Sequence, residues 1–342
     1  MLDTIEIVQH ILHTSILYHL YGYLAIFLLT ERSNVKWFFL LISKDSIGRD
    51  LNMMHLSDLF HASPDMFDFY NIDLEDDTPL FIEPGYILIA GDELSEAAWA
   101  DVQDCFQCIF LAYRQKASNS EKFELLSHLH EINATRLGYG NGRNGKAKTP
   151  EGMLEVFSQL DALFDNGIEV SHPLDLPLFF DGYGADCLSD ALTNILFDRL
   201  SRYTYEQAQL WNVDPQYFTH LPRPMHYWNI TAHRWQICQR PQLVIDGQQV
   251  LLVPKRWLRT RILCDTVHFL RHMILHTLQA QQTTYLDGRA IRPTIKGLDA
   301  ELRGKYGAPR EIIKKFVREN PSLLSKYHRN LANFYHQNCS FD

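Results

Sequence analysis

Residues 178–204, LFFDGYGADCLSDALTNILFDRLSRYT, set the reading of the fold. An apolar run leads into Asp181-Gly182-Tyr183-Gly184, whose glycines supply a tight turn with backbone angles that other residues resist. Apolar residues then recur at helical spacing, so the stretch predicts a short strand, a glycine turn and a long helix. Downstream, residues 222–257 alternate turns with the extended runs MHYWNI, HRWQIC, QLVIDG and QQVLLVPK, and Asp246-Gly247 reads as a hairpin turn. Upstream, FIEPGYILIAG predicts a short buried strand, and DELSEAAWADVQDCFQCIFLAYRQ a helix opened by an acidic first turn. From Arg256 onward the pattern is mostly helical. Together these elements predict an α/β (α+β) core with a mixed sheet, compatible with a restriction-endonuclease-like arrangement, plus a helical C-terminal domain. Residues 116–121, KASNSE, read as a linker. The expected divisions are an acidic N-terminal α/β module (1–115), an α/β core carrying the candidate site (120–262) and a basic helical C-terminal domain (263–342).

The composition is that of a globular protein: 46% hydrophobic, 12% aromatic and 21% charged residues over 342 positions, which excludes disordered and collagen-like chains. The net charge of −9 argues on totals against nucleic-acid binding, but it is unevenly distributed. Residues 1–112 hold 18 Asp and Glu against 4 Lys and Arg, whereas residues 255–336 hold 16 Lys and Arg against 6 Asp and Glu. The basic segment suits a phosphate partner, and acidic residues 1–115 suit a protein partner. Of the 6 cysteines only Cys105 and Cys108 form a CxxC pair, in an apolar run that reads as buried. Without disulfide spacing or a basic signal-peptide start, the expected location is a reducing cytoplasm. Residues 7–30 lack Asp, Glu, Lys and Arg, yet Gln9, His10, His13, His19 and Gly22 interrupt them. They predict a core amphipathic helix followed by strand-like AIFLLT and WFFLLIS rather than a membrane span.

Four constellations carry candidate chemistry. Asp186 and Asp190 are four apart and share a helix face, where paired carboxylates suit Mg²⁺; the plainer reading makes them a helix cap and a first-turn acid. Asp246 and Lys255 bracket a strand in LVIDGQQVLLVPK, the layout of PD-(D/E)XK nucleases, in which acids hold Mg²⁺ and the lysine assists the attacking water. The acid that such enzymes carry two residues before the lysine is replaced by Val253, so it would have to come from Asp186, Asp190 or Glu131. Glu131 opens EINATRLGYGNGRNGK, whose glycines and Arg143, Lys146 and Lys148 suit a phosphate-binding loop. Arg271 and His276 match the RxxxxH pattern of HEPN ribonucleases, within a His268, His272 and His276 stripe.

The motifs GxGxDxxSDxxTN, E-x-x-x-T-x-LG and DG-x-x-x-LLVPK-x-x-x-R resemble those of an uncharacterised bacterial family, over about residues 125–330. The shared positions are Glu131, Thr135, Gly138, Asp186, Ser189, Asp190, Asn194, Asp246, Gly247, Pro254 and Lys255. The resemblance implies a link to mobile elements and antiviral defence. The leading expectation is a Mg²⁺-dependent nuclease. In it Asp186, Asp190 and Asp246 hold the metal, Lys255, Asp190 and Glu131 act in catalysis, and Arg143, Lys146, Lys148, Arg256, Lys305, Lys314 and Lys315 engage nucleic acid. The alternatives are a non-catalytic sensor or assembly subunit of a defence complex, and a HEPN-type ribonuclease.

Overall fold

The computed structural model describes residues 23–26, 40–43, 56–138, 149–263 and 265–337, and divides the chain into two units, Met1–Met54 and His55–Asp342. In the first, β1 (Tyr23–Ile26) pairs antiparallel with β2 (Leu40–Ser43). These strands overlap the two strand-like runs expected from the sequence, and the helix expected before them lies outside the described residues.

The second unit opens with α1 (Leu56–Phe60) and β3 (Phe81–Ile82). Only Phe81–Ile82 of the expected FIEPGYILIAG run pair as a strand, because Glu83 caps the next turn by accepting from Gly85 N and Pro84 fixes the first helical φ. The remainder forms α2 (Pro84–Ile89). Asp92 caps α3 (Glu93–Arg114), as the acidic first turn predicts. One face of α3 places Ala98, Val102, Cys105, Phe106, Ile109 and Tyr113 in the core. The expected linker instead provides Ser118, which forms a capping box with Glu121 and starts α4 (Asn119–Leu126). Two helices broken at Ser158 follow, α5 (Pro150–Phe157) and α6 (Gln159–Asp165).

Residues 178–204 are helical throughout their regular parts. The expected strand is instead the short helix α7 (Leu176–Phe179), in which Pro177 presets a helical φ. The long helix is two, α8 (Ala185–Ile195) and α9 (Phe197–Leu210), joined at buried Leu196. Then come β4 (Phe218–Thr219), β5 (His226–Asn229), β6 (Arg234–Ile237), β7 (Gln242–Ile245), β8 (Gln248–Val250) and β9 (Leu258–Arg259). The basic region continues through α10 (Thr266–Phe269), a π-helical turn (Leu270–Leu275) and α11 (His276–Gln281). It ends with a hairpin, β10 (Thr284–Leu286) and β11 (Arg289–Ile291), and three helices, α12 (Ile295–Tyr306), α13 (Pro309–Glu319) and α14 (Ser322–Gln337).

The architecture is α+β, with helices predominating over small antiparallel sheets. The sheets are β4-β7-β8, β5-β6, β3-β9 and β10-β11. The parallel part of the expected mixed sheet reduces, among the described residues, to one isolated bridge between Thr78 and Leu137. Side chains from all three segments that the sequence separates share one core. It includes Phe106 of α3, Phe157 of α5, Leu192 of α8, Trp257, Leu302 of α12 and Tyr327 of α14. A smaller cluster joins Phe60, Phe67 and Phe69 to Tyr203, Leu243 and Leu252. Non-local hydrogen bonds tie the elements: Ser189 Oγ accepts from Ile82 N at 3.0 Å, and Thr204 Oγ1 from Leu252 N at 2.9 Å. No helix among the described residues is long and apolar enough to cross a membrane.

Candidate functional site

Asp186 lies in the first turn of α8, and Asp190 follows one turn later, so both half-buried carboxylates share a face. Residues 130–138 run along this helix in the opposite sense. At one end Asn194 Nδ2 donates to His130 O at 2.6 Å and to Asp190 O at 3.0 Å. At the other end Gly138 meets Asp186, where a Cβ on the glycine would stand 2.8 Å from Asp186 Oδ1. Gly138 also has φ +126°, a conformation that side chains resist. Backbone bonds hold the strip on its far side: Thr78 N donates to Arg136 O, and Gly138 N to Thr78 O, each at 2.8 Å. Leu251 N donates to Ala134 O at 2.8 Å, which joins the chain beyond β8 to the middle of the strip. Exposed Glu131 therefore lies toward the Asp190–Asn194 end of α8.

Asp246 and Lys255 are placed differently. Asp246 (φ 48°) and Gly247 (φ 77°) form the two central residues of a type I′ hairpin turn, with the Asp246 side chain exposed. Lys255 lies beyond the other end of β8, in a 3-10 turn that includes Trp257. Its Nζ donates to Pro64 O and its backbone N to Asp68 O, each at 2.8 Å. Eight residues separate Gly247 from Lys255, and extended chain rises about 3.3 Å per residue, so Asp246 and Lys255 stand at opposite ends of this run. Val253 between them is buried. The structure thus brings Glu131, Asp186 and Asp190 to one helix, and does not bring Asp246 together with Lys255.

The basic candidates also divide. Arg143, Lys146 and Lys148 lie outside the described residues. Arg256 is an internal cross-link: Nε and Nη2 donate to Asp92 at 2.9 and 3.0 Å, and Nη1 to Asp68 at 2.7 Å. Burial opposes a charge on Asp92, but hydrogen bonds from Arg256 and Ser95 outweigh it and hold the carboxyl at about 2. Lys305 lies 5.2 Å from the centre of the Tyr306 ring, Lys314 pairs with Glu311 at 2.9 Å, and Lys315 pairs with Glu319. Such helix-surface pairs contribute little and exchange readily. Lys314, Lys315 and Arg318 border a cavity of about 360 Å³ whose other lining includes Gln159, Asn166 and Phe179.

Arg271 and His276 flank the π-helical turn, where His276 N–H donates to Arg271 O. The wider turn of this i→i+5 bond brings the two positions nearer to one face than residues five apart on an α-helix. Both are exposed. The histidine stripe packs against α14: the His268 and His272 rings are 4.3 Å apart, and His268 Nδ1 lies 2.9 Å from Tyr327 Oη. Burial, with His272 beside it, pushes His268 down to about 4.

Residues 60–264, more than half of the chain, match the family described as a domain of unknown function, DUF8370. The chain belongs to the DUF8370 family. No curated protein and no solved structure matches it. The DUF8370 domain contains Glu131, Asp186, Asp190, Asp246, Lys255 and Arg256, and ends before Arg271, His276 and the lysines of α12 and α13.

Sequence reasoning missed how the acidic part of the DUF8370 domain is used. Asp92 was legible as a cap, but its Arg256 partner is 164 residues away, a distance that no local pattern reports. Asp101 pairs with Arg199, and Asp104 accepts from Trp228 Nε1 at 2.7 Å. Glu83 is buried: burial pushes its carboxyl up, against hydrogen bonds from Tyr335, Leu263 N and Gly85 N. The Pro after Glu83 was the available signal that this acid caps a helix.

Proposed function

We propose that this DUF8370 chain hydrolyses phosphodiester bonds in nucleic acid, with a divalent metal held by Asp186 and Asp190 and with Glu131 as the further carboxylate. The observation that carries this reading is the close approach of Gly138 to Asp186, which aligns the 130–138 strip, and Glu131 with it, along the acidic face of α8. Two carboxylates one turn apart repel each other, and oxygen-only donors of this kind suit Mg²⁺ or Mn²⁺. A bound divalent ion supplies a nucleophilic water near neutral pH and neutralises charge on the phosphate. The acids of α8 would hold it, and Glu131 would accept a proton from water. Asp246 and Lys255 have structural roles on this reading, so support does not come from a restriction-endonuclease-like pairing of acid and lysine on neighbouring strands. The substrate class is nucleic acid, drawn by the basic C-terminal segment. Antiviral defence in bacteria is the proposed context.

A direct assay tests this. Labelled single- and double-stranded DNA and RNA are incubated with the full chain in Mg²⁺ or Mn²⁺, or in EDTA. Cleavage is expected with metal only, and Asp186→Asn is expected to lower it at least about 100-fold at unchanged thermal stability, as loss of a metal ligand does. Cleavage that persists in EDTA would sink the reading. A second reading, a HEPN-type ribonuclease, draws support from the π-helical turn whose backbone bond links His276 N–H to Arg271 O. On that reading RNA is cut without metal, and His276→Ala abolishes cutting.

A further inference from the structure

A second cluster of donor atoms lies away from α8, on the exposed side of α3. Asp104 and Cys108 are one turn apart there and share a face. His233 meets them from the turn between β5 and β6, where it takes φ 50°. The carboxylate oxygen, the thiol sulfur and an imidazole nitrogen all lie within 4.8 Å of one another. His233 Nδ1 is 2.8 Å from Asp104 Oδ1, and Trp228 Nε1–H donates to Asp104 Oδ2 at 2.7 Å. The carboxylate is therefore oriented from behind by the indole, as ligands of metal sites are by their supporting hydrogen bonds.

We propose that Asp104, Cys108 and His233 form a binding site for a zinc-class divalent transition metal. Sulfur and imidazole donors select Zn²⁺ or Co²⁺ over Mg²⁺ and Ca²⁺. Ligand bonds of about 2.0–2.3 Å put tetrahedral donors about 3–4 Å apart, so the cluster needs to contract by only about 1 Å. Exposed His233, on a turn, can supply that movement. Three protein ligands leave a fourth position for water. Metal binding forms the metal–sulfur bond and releases the thiol proton to water. Cys105, the other cysteine of the CxxC pair, is fully buried in the core, so the pair does not act as a unit. The site fastens the β5–β6 hairpin to α3 across 129 residues of chain. It is independent of the nuclease reading, because its donors and its metal class differ.

The test is titration of the full-length, reduced chain with Co²⁺, followed by absorbance, and thermal unfolding with and without Zn²⁺. A thiolate-to-metal absorption band that saturates at one Co²⁺ per chain is expected, together with a higher melting temperature in Zn²⁺. Cys108→Ala and His233→Ala are each expected to weaken binding at least about 100-fold and to abolish the thermal shift, with circular dichroism unchanged. Cys187→Ala should leave both readouts as they are. Absence of the thiolate band, or a band and thermal shift that survive Cys108→Ala, would overturn the proposal. Co²⁺ taken up by the carboxylates of α8 alone, with no sulfur band, would overturn it as well, whereas uptake there beside the sulfur band belongs to the nuclease reading.

Discussion

At Gly138 the backbone takes φ +126°, and the Asp186 carboxylate occupies the space that a side chain would fill. Gly138→Ala is therefore expected to destabilise the chain by about 1–3 kcal/mol, read as a lower urea midpoint, and to lower nucleic-acid cleavage with it. The individual residues of this site were legible: Glu131, Gly138, Asp186 and Asp190 all stood out by type and spacing. Their adjacency was not, because it depends on how residues 130–138 lie on α8, and no local pattern encodes that. At Lys255 the layout of an acid and a lysine closing neighbouring strands suggested one shared site with Asp246. Lys255 instead bonds Pro64 O at the surface. Lys255→Ala should cost no more than about 1 kcal/mol and leave cleavage within about twofold, whereas loss of a water-activating lysine would cost far more. Arg256 gives a pH signature. The folded Asp92 carboxyl titrates at about 2, below its ordinary 3.8, so the stability it adds is present above about pH 4 and is lost as pH falls toward 2. Arg256→Ala should cost about 2 kcal/mol at neutral pH and flatten this acid limb in urea unfolding.

Among the elements, those with local signatures were read correctly. The Asp92-capped helix α3 and the Asp-Gly hairpin of β7 and β8 both announce themselves in a few residues. Asp246→Asn should be neutral within about 0.5 kcal/mol, since asparagine also adopts positive φ, while Gly247→Val should cost about 1–2 kcal/mol; thermal melts of the two variants check both. Apolar runs beside proline misled the reading. Leu176–Phe179 and Pro84–Ile89 look like buried strands by composition, but each has proline at its first turn, which presets a helical φ. The π-helical turn before His276 left no mark that spacing could show.

Across the whole molecule, the charge split acquires a structural meaning. The acidic part of the sequence that lies in the second unit is answered by partners supplied much later in the chain: Asp92 and Asp68 by the Arg256 cation, Asp101 by the Arg199 cation, and Asp104 by hydrogen bonding with Trp228 and His233. An uneven linear charge distribution therefore reports, in part, on folding contacts rather than on separate partners. The α+β class was legible because helical and extended patterns alternate along the sequence. The single core shared by residues before 115, between 120 and 262, and after 263 was not, because it depends on long-range packing, and the one polar stretch read as a linker, 116–121, caps a helix instead. The central claim, a divalent metal held on the acidic face of α8, is tested most directly by anomalous scattering from crystals of this chain soaked in Mn²⁺. An anomalous peak within coordination distance of both Asp186 and Asp190, absent in crystals of Asp190→Asn, is the expected result. A peak at Asp246 with none at α8, or no peak at all in well-ordered crystals, would contradict it.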